Sequence, residues 1–112
     1  MKAAVKLREN FIDAFDLRDT PECKGLGDHP DHICLFPPDY EPGVGINTPF
    51  LVPNFAVFIP NNGKDYSEAV QWFTQRRGEL DVLVHPNSGC PVADHLDWAI
   101  WQGNKWELKM SF

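Results

Sequence analysis

The sequence predicts an α+β fold on three observations: an amphipathic helical pattern at Lys2–Phe15, apolar runs of strand length at Phe55–Ile59 and Leu80–Val84, and a second helical pattern between those runs. The chain has 112 residues, 43% of them apolar, with eight Phe, four Trp and two Tyr, which is material for one modest core and one domain over residues 1–112.

Each element has its own warrant. Over Lys2–Phe15, Val5, Leu7, Phe11, Ile12 and Phe15 recur at spacings near three and four, with Lys6, Arg8, Glu9 and Asp13 between them. Thr20–Gly27 is polar and turn-rich, and Pro30–Pro53 is dense in breakers, among them Pro37, Pro38, Pro42, Gly43, Gly45 and Pro49. Proline cannot donate to an interior ladder, so this region is expected to be irregular, with at most a short strand near Ile33–Phe36. Long irregular stretches in small domains often border a binding site. Phe55–Ile59, FAVFI, reads as a strand closed by Pro60 and the turn residues Asn61, Asn62 and Gly63. Asp65 and Glu68 give a capping-box-like start to a second helix, whose apolar face carries Ala69, Val70 and Phe73 and which Gly78 stops. Leu80–Val84 is the next strand, and Ala99–Trp101 with Trp106–Met110 forms a final edge pair across Gly103 and Asn104.

Helix, short strand, strand, helix, strand is most of a ferredoxin-like βαββαβ sandwich, with two helices on one face of an antiparallel sheet and the first strand absent, so that the fold is N-terminally shortened. In that topology the first strand lies mid-sheet, and its loss leaves ladders unpaired. A shortened chain is the favoured explanation, beside replacement by a partner's segment or by the Pro37–Pro53 insertion.

Net charge is −6 and the largest basic cluster is the pair Arg76-Arg77, which excludes an electrostatic footprint for nucleic acid. No window approaches the ~18 apolar residues of a membrane span, and the N-terminus lacks the apolar core of a signal peptide. Cys23, Cys34 and Cys90 are odd in number and lack CxxC spacing, so a disulfide framework is not expected, and a reducing, cytoplasmic setting is.

The chemistry-bearing residues are histidines. His85 ends an apolar strand and enters the turn Pro86-Asn87-Ser88-Gly89, where it is either held by a backbone carbonyl or presented at the mouth of the sheet. His95 follows Asp94, which either orients the imidazole, completes a metal shell in its own right or caps a helix. His29 lies in a turn between Asp28 and Pro30, and His32 reads as surface. Arg76 and Arg77 read as solvated cations at a helix C-terminus, and Trp98 and Trp101 as core or as the border of an aromatic substrate.

VLVHPNSG followed by DHLDWAIWQG (Asp94–Gly103) resembles the C-terminal signature of the DOPA 4,5-dioxygenase family, usually worded VLVHPNTG, a spacer, and DHxxxAxWLG. Ser88 and Gln102 stand where that wording has Thr and Leu. Gly27-Asp28-His29-Pro30 is a weaker match to the family's Gly-Pro-His-Pro, and the resemblance is close over Gly78–Gly103 and loose elsewhere. It implies an extradiol dioxygenase that opens a catechol such as L-DOPA with O2 and non-haem Fe(II) or another divalent metal. On that resemblance His85 and His95 are metal ligands, His29 is an acid/base group and Asp94 supports them. The family's opening strand, worded like FHxHxYF, has no counterpart here, which removes two histidines expected beside His85. The rival readings are a catalytically impaired member that binds or regulates through a small molecule, and an interaction module that forms a homodimer through its sheet.

Overall fold

The computed structural model describes residues 2–25, 29–40 and 53–108. The fold is α+β, as the sequence predicts: helices and antiparallel strands follow the expected order, with one additional short helix.

Helix α1 (Lys2–Ala14) buries Ala4, Leu7, Phe11 and Ile12, one stripe at the helical repeat. Its end is a Schellman arrangement: Leu17 N–H donates to Ile12 O (2.9 Å) and Asp16 N–H to Asp13 O (3.4 Å). Asp16 takes the left-handed conformation (φ 55°) that this stop requires and that Asp tolerates better than most residues. Strand β1 (Cys34–Leu35) pairs antiparallel with β2 (Val57–Phe58), Cys34 opposite Phe58 and Leu35 opposite Val57. An isolated bridge between Asp39 and Asn54 extends this pairing.

Helix α2 (Gly63–Arg76) starts earlier than the Asp65–Glu68 signal suggests. Asn62 is the cap: its side-chain oxygen accepts from Lys64 N–H (3.0 Å) and Asp65 N–H (3.4 Å), and its amide donates to Asp65 Oδ2 (3.0 Å). Gly78, at φ 57°, ends the helix as expected. Arg77 is not a solvated cation, because its guanidinium donates to Leu80 O (3.0 Å); Arg76 lies over the Trp72 ring (5.2 Å).

The two long helices meet the β1–β2 sheet in one core of Leu7, Phe11, Ile12, Ile33, Leu35, Ala69 and Phe73, with Phe55, Val57, Trp72 and Leu80 packed against it. Phe11 is fully buried between the rings of Phe15 (4.4 Å), Phe73 (4.7 Å) and Trp72 (5.4 Å).

A second cluster corrects the reading of the cysteines. Cys23 and Cys34 form a disulfide and pack with Phe36, Ala56 and Phe58. The polar segment after α1 folds back so that Cys23 N–H donates to Leu35 O (3.0 Å), which sets the two Cα atoms 5.2 Å apart, within bridging range. The odd number of cysteines hides this, because Cys90 is an exposed bystander.

Strand β3 (Val82–Val84) pairs antiparallel with β4 (Ile100–Gln102), in the register Val82–Gln102, Leu83–Trp101 and Val84–Ile100. The expected pairing of Ala99–Trp101 with Trp106–Met110 is not seen: residues 106–108 form no strand, and 109–110 lie outside the described residues. Instead, Asp81 captures the chain after β4, accepting from Asn104 N–H and from the Trp106 indole (2.7 Å each). Trp98 is exposed rather than core. Between β3 and β4 lies α3 (Pro91–His95), a helix of five residues begun by proline at its first position. Among the described residues no helix is long and apolar enough to cross a membrane.

Candidate active site

The connection from β3 to β4 carries both histidines of the signature. His85 directly follows Val84, the last residue of β3, and His95 closes α3. Their rings lie with centroids 4.2 Å apart and planes tilted by 37°. One turn and one short helix bring together two residues that the sequence sets well apart.

Each ring is oriented by the backbone. His85 Nδ1–H donates to Pro86 O (2.9 Å) and His95 Nδ1–H to Pro91 O (2.7 Å). Donation from Nδ1 puts the lone pair of a neutral imidazole at Nε2, so the carbonyls select the tautomer in which Nε2 is the basic or ligating atom. Burial pushes the His85 pKa below its ordinary 6.5, and the His95 ring adds to the shift, while the Pro86 carbonyl and Asp94 oppose it. The neutral form, the one that binds metal, is therefore the favoured form of His85 at neutral pH.

Asp94 is buried, at 4% exposure, and its hydrogen bonds go to the turn rather than to the rings. Its carboxylate accepts from Ser88 N–H (3.0 Å) and from the Ser88 hydroxyl (2.6 Å). The roles expected of it by sequence, orienting an imidazole or capping a helix, fall to other groups: the Pro86 and Pro91 carbonyls hold the rings, and Cys90 stands at the cap of α3. Ser88 is legible as a donor in the signature turn, but its partner Asp94 is not, and the Pro91 carbonyl carries no signal of its own; proline at the first helical position is the signal that locates α3.

His29 is exposed and meets the edge of the Phe58 ring, centroids 5.8 Å apart, on β2. No described ring contact or hydrogen bond joins it to His85 or His95. Its motif neighbours Gly27 and Asp28 lie outside the described residues. His32, read as surface, is exposed and faces Asp31 at 3.4 Å.

Two tautomer-fixed imidazoles fit a divalent ion such as Fe(II), which takes imidazole and carboxylate ligands. Among the described residues, however, no group of three His, Cys, Asp or Glu side chains could hold an ion, and both oxygens of Asp94 already serve Ser88. Among the described residues the two imidazoles do not by themselves make a complete ligand set.

The fold and the site define the class: a small α+β protein with two imidazoles held against one another on the connection between two strands. The chain belongs to the Dopa 4,5-dioxygenase family, whose sequence model matches residues 1–112. It is also similar to the crystal structure of a candidate dioxygenase from Nostoc punctiforme, with a TM-score of 0.65 and 25% identity, over 96% of this chain and 74% of that one. No curated protein matches the sequence.

Proposed function

We propose that this chain is an extradiol dioxygenase acting on a small catechol, L-DOPA or a relative, with O2 and a divalent metal, Fe(II) first among them. The observation that carries the reading is the His85–His95 pair, 4.2 Å apart, with each Nδ1–H on a backbone carbonyl. The two Nε2 atoms would be metal ligands, completed by a group outside the set described above. A bound Fe(II) would supply the redox chemistry that couples O2 to ring opening.

The chain's own contributions are more local. Desolvation keeps the His85 ring neutral and so available as a ligand. The Asp94–Ser88 contact fixes the turn that carries it. His29, in a reachable loop, is proposed as the group that takes and returns a proton at its imidazole nitrogen. A cytoplasmic setting is part of the same reading, but the Cys23–Cys34 bridge removes the cysteine argument for it.

The second reading, a member that binds a small molecule without turning it over, is favoured by one observation: the absence of a three-ligand group among the described residues. Anaerobic loading with Fe(II) separates the two. The enzyme reading expects about one iron per chain, loss of that iron in His85→Ala and His95→Ala, and a yellow ring-opened product from catechol and O2. Failure to retain iron or to consume catechol, together with catechol-dependent thermal stabilisation, would establish the binding protein instead.

A further inference from the structure

We propose that Ser88 is a positioning residue for the imidazole pair, acting through the buried carboxylate of Asp94; the proposal rests on His85 and His95 being the metal ligands. His85 is placed by β3 and His95 by α3, so the distance between the rings depends on what ties the turn after β3 to that helix. Five residues cannot hold a helix by themselves, and the cap position, Cys90, supplies no side-chain hydrogen bond. The tie is Ser88. Its N–H and its hydroxyl both donate to Asp94, at 3.0 and 2.6 Å, and the same hydroxyl oxygen accepts Cys90 N–H at 3.2 Å. One hydroxyl thus joins turn, helix start and helix body.

The chemistry of the latch is specific. Asp94 sits at 4% exposure, and its hydrogen-bond partners are the two donors of Ser88. Removing the hydroxyl would leave one carboxylate oxygen without a protein donor in a buried place and would release Cys90 N–H. The resulting movement of α3 carries His95 away from His85. Threonine keeps the hydroxyl and should keep the latch.

The test compares Ser88→Ala, Ser88→Thr and Asp94→Asn with the wild-type chain, each confirmed folded by thermal melting. Two readouts are made: nuclear Overhauser signals and ring-current shifts between the His85 and His95 rings without metal, and the affinity for Co(II) alone. In Ser88→Ala and Asp94→Asn the Overhauser signals between the rings should vanish and Co(II) should bind about 10-fold or more weakly, the usual cost of removing an outer-shell partner, while Ser88→Thr should restore both. Overhauser signals and Co(II) affinity unchanged in folded Ser88→Ala would overturn the proposal. If Ser88→Ala does not fold, Asp94→Asn against Ser88→Thr decides in the same way. Separation of the two rings in Ser88→Ala, with no Co(II) bound by the wild-type chain, would uphold the latch and overturn the metal reading.

Discussion

Asp81 and Gly103 show how one position can depend on another across the β3–β4 pair. Gly103 turns the chain at φ 88°, and a Cβ there would collide with Asp81 Oδ1 and come within 2.7 Å of the Arg77 guanidinium. Gly103→Ala should therefore cost more than about 1 kcal/mol in urea unfolding, since it adds a clash to an unfavourable backbone conformation. Asp81 itself carries an acid-side signature. The Asn104 N–H, then the Trp106 indole, hold its pKa below the ordinary 3.8. A depressed folded value means that the contribution is complete above 3.8 and is lost as pH falls through the lower folded value. Wild type should therefore be more stable than Asp81→Asn near neutrality, with the gap closing in acid below 3.8, as melting temperatures against pH would show. A gap that stays constant to strongly acid pH would refute this account.

Among elements, α2 depends on its first turn. Asn62 satisfies two backbone donors that the helix cannot, so Asn62→Ala should cost about 1 kcal/mol in stability, read from melts monitored by helical circular dichroism. Sequence pattern places the start of α2 too late because Asn62 looks like a turn residue while Asp65 and Glu68 imitate a capping box; the chemistry is the same, a few residues earlier. Its end is legible, since Gly78 has the positive φ that glycine supplies without strain. Helix α3 leaves no periodic trace, because five residues complete little more than a turn. The strand runs Phe55–Ile59 and Leu80–Val84 are legible as apolar runs, yet only Val57–Phe58 and Val82–Val84 are paired, since pairing depends on a partner's register.

For the whole molecule, the Cys23–Cys34 bridge matters most among the features that local pattern conceals. It closes a loop of sequence separation 11 that contains His29, and loop-closure entropy for that length is about 3 kcal/mol. Unfolding under reducing conditions, or of the Cys23→Ser/Cys34→Ser chain, should show a loss near that size against the oxidised chain. Indifference to reductant, with the bridge confirmed by mass, would show that the loop is held by its packing on Phe36, Ala56 and Phe58 instead.

The order of elements, the α+β class and the core stripe of α1 are set by local pattern, because helical and strand periodicities are properties of neighbouring residues. His85 is legible as a candidate for the same reason: it ends an apolar strand. Its pairing with His95, the tautomers of both rings, the burial of Asp94 against Ser88 and the bridge between Cys23 and Cys34 are decided only in three dimensions. Each of these depends on distances between segments that fold back on one another, and such distances have no period in a sequence.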